Sequence, residues 1–182
     1  MVDQVFIHKS AHVSENAKIG AGTKIWINAQ IREDVSIGKN CVISKDTYID
    51  KGVVIGDNVK IQNGVSIYSG VVIGNGVFIG PNAVFTNDIF PRSENLTWEI
   101  IPTIVKDGCS IGANATIVCG NTLGEFCMVG AGSVVTKNIL PHVLAVGNPA
   151  RKIGYVCICG KRLKKNGLCT ACGFRMEVAD GS

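Results

Sequence analysis

The chain has 182 residues, room for one domain and a small appendage, and is 46% hydrophobic but only 6% aromatic, so its core is aliphatic. The net charge is +4, and Lys161, Arg162, Lys164 and Lys165 supply much of it at one end. That argues against a basic face for nucleic acid along the body. No segment reads as a signal peptide and no apolar run is long enough to cross a membrane, so no membrane association is expected and the expected compartment is the cytoplasm, with reduced cysteines.

From Ile7 to Phe85 every sixth residue is large and apolar: Ile7, Val13, Ile19, Ile25, Ile31 and so on through Ile79. A helix would spread these positions around its axis. Short strands permit them, because six is a multiple of the strand period of two. The physical solution is a coil with three flat faces of six residues each, stacked on copies of itself. That is an all-β hexapeptide β-helix. Four residues after each stop sits a small or β-branched residue, such as Ala17, Thr23, Ala29 or Cys41. Glycine often follows the stop, as at Gly20, Gly38, Gly56, Gly74 and Gly80, where a corner needs positive φ or close backbone approach. Residues 1–12 lead into the ladder and are expected to cap its end rung, with His8 and His12 as surface or cap residues.

Several polar or aromatic residues follow the stops: Trp26, Arg32, Gln62 and Tyr68. Ser14 and Arg32, Ser44 and Gln62, and Asp50 and Tyr68 are each eighteen residues apart, so each pair shares an edge and can form a binding wall. Residues 86–104 break the ladder with two prolines, a tryptophan and several polar residues, and a long loop inside a regular solenoid reads as functional. Asn87, Asp88, Pro91, Arg92 and Ser93 stand at its mouth. The ladder resumes at Val105, two residues out of phase, and runs to Val135, for six or seven coils in all. Asn121 interrupts the small register and must turn outward or find partners along the stack. Pro141 and Pro149 end the hexads, and a short helix is expected to start at Pro149. His142 reads as structural.

Residues 155–182 form a separate cysteine-rich tail after a body of residues 1–154. Cys157 and Cys159, then Cys169 and Cys172, are two short thiol pairs, each followed by glycine. Two such turns can supply four thiolates to a structural zinc in a zinc-ribbon-like unit. A metal-free tail and a redox pair are the alternatives.

Within the body, three segments carry a resemblance. They are residues 62–68 (QNGVSIY), residues 80–87 (GPNAVFTN) with Pro91, Arg92 and Ser93, and residues 113–120 (ANATIVCG) running into residues 129–135 (VGAGSVV). On these the chain is identified as a member of the left-handed β-helix (hexapeptide-repeat) acyltransferase superfamily. It is similar within it to the nucleotide-sugar 3-N-acetyltransferases that act on sugars such as UDP-2-acetamido-3-amino-2,3-dideoxyglucuronate. The resemblance implies the left hand, a homotrimer with sites between subunits, acetyl-CoA as cosubstrate and a nucleotide-sugar substrate. It implies Asn87 as the residue that holds the sugar amine, with Asp88 as second candidate. Arg32, Gln62, Asn63, Tyr68 and Arg92 are the candidate substrate-binding residues. Backbone amides near Ala113, Ala131 and Gly132 would meet the pantetheine, and Lys137, Arg151 and Lys152 the CoA phosphates.

Two other classes fit the residues. O-acetylation of a sugar normally requires a histidine base, and no histidine falls on a middle or late coil. A non-catalytic scaffold with a zinc docking tail would not bind CoA.

Overall fold

The computed structural model describes residues 4–177. Each hexad becomes a strand of two or three residues in which an outward residue precedes the inward stop, as in Lys24–Ile25 and Gln30–Ile31. Each strand pairs in parallel with the strand one coil on: Ile25 with Ile43, Ile31 with Ile49, Ile37 with Ile55. Three parallel sheets result, one per face. The first face begins at Phe6–Ile7, the second at His12–Val13 and the third at Lys18–Ile19. The inward stops from Ile25 to Val135 are buried in one continuous core.

The first face holds eight parallel strands, so the solenoid has about eight turns instead of six or seven. Residues 6–13 form rungs of their own and are not a cap, and Val143–Val146 extends the first face after the hexads end. The first three residues of the expected cap and the last five of the tail lie outside the described residues. At the open end Ile7 is 46% exposed, while Ile25, its partner on the next coil, is fully buried.

The corners separate two roles that the sequence reading joined. Positive φ falls three residues after each stop, at Gly22, Asn28, Asp34, Asn40 and their equivalents, where Asn and Asp tolerate the left-handed region. The glycines directly after the stops serve close approach. A Cβ on Gly56 would lie 2.8 Å from the carbonyl carbon of Gly74, and one on Gly20 would collide with Gly38. Phe126 and His142 continue the positive-φ corner of Asn40, Asn58, Gly76 and Gly108, at φ of 53° and 58°. For such side chains this backbone costs roughly 1–2 kcal/mol.

The loop spans Phe85 to Thr103, and Val72 pairs with Ile104, so the chain returns to the third face two residues out of hexad phase. Its strand starts at Thr103, ahead of the stop at Val105. Ile101 N–H donates to Asn87 O at 3.2 Å, Thr103 N–H to Gly70 O at 3.1 Å, and Gly120 N–H to Pro102 O at 3.1 Å, closing the loop's base between two coils.

Pro149 is not followed by a helix. Arg151–Tyr155 is a strand that pairs antiparallel with Val143–Val146, satisfying backbone groups at the edge of the first face. No helix occurs among the described residues, so none is long and apolar enough to cross a membrane. Beyond it, Cys157, Leu163 and Cys169 make a second, smaller buried cluster with Tyr155, Phe174 and Met176 against it.

Candidate active site

The registers between coils turn sequence spacing into columns. On the edge between the second and third faces, one column reads Ser14, Arg32, Asp50, Tyr68 and Thr86, and past the insertion Val118 and Thr136. Beside it runs Glu33, Lys51, Ser69, Asn87, Cys119 and Lys137. Coils repeat at about 4.8 Å, so the backbone of Asn87 stands about 5 Å from that of Ser69 and about 10 Å from that of Lys137. Thr86 ties this level to the next coil, its Oγ1 accepting the Cys119 N–H at 3.0 Å.

The N-terminal part of this edge is a connected polar network. Arg32 Nε donates to Glu33 at 3.0 Å, and its Nη1 donates to Tyr48 Oη at 3.3 Å. Tyr48 Oη donates to Asp50 Oδ1 at 3.0 Å, and Asp50 also accepts the N–H groups of Lys51 at 2.8 Å and Ser69 at 3.3 Å. Partial burial pushes the Asp50 carboxyl up, but the Lys51 N–H, the Tyr48 hydroxyl and Ser69 outweigh it and hold it below the ordinary value. The hydrogen bonds that Arg32 donates to Tyr48 and Glu33 raise it further above its ordinary value, keeping it a cation. The Tyr48 and Tyr68 rings lean on each other with centroids 5.8 Å apart. Eighteen-residue spacing foresaw Asp50 with Tyr68. It missed Tyr48, which points out from a strand and reaches Arg32 diagonally.

In the loop, Asp88 Oδ1 accepts the Phe90 N–H at 2.8 Å, and Arg92 is exposed with its Nη1 donating to Pro91 O at 2.8 Å. Arg92 makes no hydrogen bond to the Arg32 network among the described residues, whereas Ile100 packs over Gly70 and Ile101 approaches Gly120, so the loop's return leg lies on the corner that carries Asn87. Phe90 and Leu96 are exposed at 79% and 93%.

Gln62, Asn63, Ala113, Ala131 and Gly132 gather on the opposite edge of the second face. Asn82 N–H donates to Asn63 O, Asn114 N–H to Pro81 O, and Gly132 N–H to Ala113 O, linking that corner coil by coil. Gly80 and Gly112 leave the backbone bare beside Ala113 and Ala131. One chain therefore splits the expected residues into two edges, a face apart. Lys137, Arg151 and Lys152 do converge. They line a cavity of about 300 Å³ with Asn138, Ile139 and Leu140. Lys152 Nζ donates to Tyr155 Oη at 2.6 Å, and Arg151 Nη1 to Ala150 O at 3.1 Å.

The three histidines lie away from Asn87. His8 Nδ1 is bonded to Ser10 Oγ and His12 sits on the second rung, while His142 stacks between Phe126 and Phe174. Asn121 is buried, its Nδ2 donating to Val118 O at 2.8 Å, which settles how the small register is satisfied there.

In the tail, the Sγ atoms of Cys157, Cys159, Cys169 and Cys172 all lie within 4.8 Å of one another, with pairs at 3.3 and 3.6 Å. Four thiolates around tetrahedral zinc stand about 3.8 Å apart, so the set fits that ion. The backbone N–H groups of Ala171 and Cys172 draw the Cys169 thiol down to about 6, whereas burial pushes the Cys157 thiol up to about 12, so the case for a metal rests on the spacing of the four sulfurs.

Residues 16–51 and 52–87 match the bacterial transferase hexapeptide family (six repeats), and residues 34–69 and 102–137 match the hexapeptide repeat of succinyl-transferase. Together these cover more than half of the chain, which belongs to the hexapeptide-repeat transferases. A dTDP-3-amino-3,6-dideoxy-alpha-D-galactopyranose 3-N-acetyltransferase of Aneurinibacillus thermoaerophilus is 58% identical over 81 residues, 43% of this chain and 42% of that protein. A putative acetyltransferase of Schizosaccharomyces pombe is 45% identical over 53 residues, 29% of this chain and 26% of its own length. The matched stretches thus span less than half the length of these relatives. Among solved structures, the acetyltransferase domain of PglB from Neisseria gonorrhoeae, in complex with acetyl coenzyme A, superposes with a TM-score of 0.59 at 22% identity, over 84% of this chain and 58% of that one. A hexapeptide transferase family protein from Anaplasma phagocytophilum gives 0.59 at 21%, over 84% and 80%. At these identities the likeness is one of fold.

Proposed function

We propose that this chain is an acetyl-CoA-dependent N-acetyltransferase acting on the amino group of a nucleotide-linked 3-amino sugar, in the making of a surface polysaccharide or related glycan. The observation that carries this is the 58% identity over 81 residues to a nucleotide-sugar 3-N-acetyltransferase. The edge column adds to it: Asn87 lies between a Tyr68–Asp50–Arg32 wall on the earlier coils and Lys137 on the later ones. The enzyme works in the cytoplasm as a homotrimer, in which the edge bearing Asn87 on one chain meets the edge bearing Ala113, Ala131 and Gly132 on the next. Val54, Val72 and Ile104, exposed on the third face, offer apolar surface for such contact. Residues 1–154 are the catalytic unit and residues 155–182 a distinct zinc-binding tail.

In this reading Asn87 accepts a hydrogen bond from the substrate amine and aims its lone pair at the thioester carbonyl. The nitrogen–carbon bond forms as the carbon–sulfur bond breaks. The surplus amine proton goes to the departing CoA thiolate, with Asp88 as the alternative acceptor. Holding both reactants in place supplies most of the acceleration, and a backbone N–H polarises the carbonyl oxygen. Arg32 and Tyr68 with Gln62, Asn63 and Arg92 hold the nucleotide sugar, and Lys137, Arg151 and Lys152 hold the phosphates of CoA. A zinc bound by four cysteines keeps no open position and takes no part in the transfer.

The test is CoA release against a panel of amino-sugar nucleotides. Asn87→Ala is expected to lower turnover by about 100-fold or more, with the thermal midpoint unmoved. Unchanged kinetics would remove Asn87 from the mechanism.

A further inference from the structure

The tail touches the strand that carries the basic cavity. Arg151–Tyr155 supplies Arg151 and Lys152 to that cavity and runs directly into Cys157. Tyr155 packs against both hydrophobic clusters, the core of the solenoid and the small core of the tail. Its hydroxyl accepts from Lys152 Nζ at 2.6 Å, and its backbone partner across the antiparallel pair is Val143, another wall of the cavity.

Three further contacts join tail to body. Val156 N–H donates to His142 O at 2.7 Å, and His142 Nδ1 meets Val156 O at 3.0 Å. From the tail, Arg162 Nη2 donates to Ile153 O at 2.6 Å. The His142 ring lies between Phe126 and Phe174, with centroids 5.4 and 5.5 Å away. Phe126 and His142 sit at left-handed corners where the other non-glycine occupants are Asn or Asp. Such unfavourable backbone persists where surrounding contacts fix it, and here the His142 ring is held between Phe126 and Phe174 of the tail.

We propose that the four-cysteine tail is a metal-locked clamp for the cofactor-phosphate cavity: zinc held by Cys157, Cys159, Cys169 and Cys172 orders the tail core, and through Tyr155 that core fixes Arg151 and Lys152 for the phosphates of CoA. This rests on the acetyltransferase reading for the identity of the ligand. Without the metal, the strand and its two cations are competent for only part of the time, and apparent affinity falls by that fraction.

The experiment measures zinc by elemental analysis and CoA affinity by calorimetry on the full chain. It compares the protein as purified, the same protein stripped with a strong chelator and reloaded with zinc, and a Cys169→Ser/Cys172→Ser variant. The expected result is one zinc per chain, lost on stripping and in the variant. CoA should then bind about tenfold more weakly, as for a cavity competent a tenth of the time. Reloading restores it. Pantetheine, which lacks the phosphates, should bind the loaded and stripped forms alike. Tyr155→Phe should keep its zinc and lose a smaller part of the CoA affinity. If the cysteine variant does not fold, the stripping and reloading decide. A chain that holds no zinc as purified, or a stripped chain whose CoA affinity is unchanged, overturns the clamp. Failure to bind CoA in any form refutes the acetyltransferase reading instead, so the two failures are distinguishable.

Discussion

The solenoid and the tail are stabilised in opposite ways. In the solenoid, Ile25, Ile43, Ile61 and Ile79 follow one another up a single face, each fully buried between equivalents above and below. The buried cluster of the tail has three members, Cys157, Leu163 and Cys169, and two of them are thiols. A repeat stack sums many nearest-neighbour terms, whereas a unit this small needs a metal to offset the entropy of folding. The two parts should therefore fail separately, and several measurements can break or sharpen that contrast.

The largest effect belongs to the tail. Structural zinc in small domains contributes on the order of 10–16 kcal/mol, so a chelator should unfold residues beyond 155 and leave the solenoid's cooperative melt in place. Amide hydrogen exchange followed by peptide would show protection lost at 157–176 and retained at 25–135. Loss across both would mean that the regions are one cooperative unit.

Within the solenoid, Ile61→Ala should cost about 2–5 kcal/mol, read from denaturant unfolding, because packed coils on both sides limit collapse into the cavity. A smaller effect is expected at Thr23, whose buried Oγ1 donates to Gly38 O at 2.8 Å and accepts the Cys41 N–H at 3.0 Å. Thr23→Val keeps the shape, leaves that N–H without a partner and should cost about 1–3 kcal/mol.

Asp50 carries the smallest effect. Its folded pKa lies below its unfolded value of about 3.9. Its contribution is thus present above the unfolded value and is lost as pH falls through the folded one. Asp50→Asn should melt below the parent at pH 7, with the gap closing below pH ~4. A gap independent of pH would show that charge is not what Asp50 supplies.

Much of the body was legible because a solenoid repeats one local rule. One aliphatic stop per face gives the faces, and the two-residue phase shift gives the insertion. What escaped lay outside the rule of the stops. Glycine marks both positive φ and close approach, so Gly20 and Gly22 look alike in sequence although only Gly22 has positive φ. Pro149 permits a helix start as readily as a turn into an antiparallel strand, and only the free edge of Val143–Val146 decides between them. Tyr48 joins Arg32 across two coils and one corner, outside any single column. The docking of the tail depends on Phe174, which lies outside the repeat, stacking on His142, which with Phe126 continues a corner column otherwise held by Asn and Gly. In the site, spacing alone aligned Asp50 with Tyr68, while the convergence of Lys137 with Arg151 and Lys152 required the closing strand.

The central claim is acetyl transfer to an amino sugar at the Asn87 edge. The most direct measurement is CoA release by the intact protein with acetyl-CoA and a nucleotide-linked 3-amino sugar, set beside the same nucleotide sugar with a 3-hydroxyl. Release is expected with the amine, together with an acetamido product by mass, and none with the hydroxyl. Release with the hydroxyl alone, or with neither the amine nor any other amino-sugar nucleotide, would contradict it.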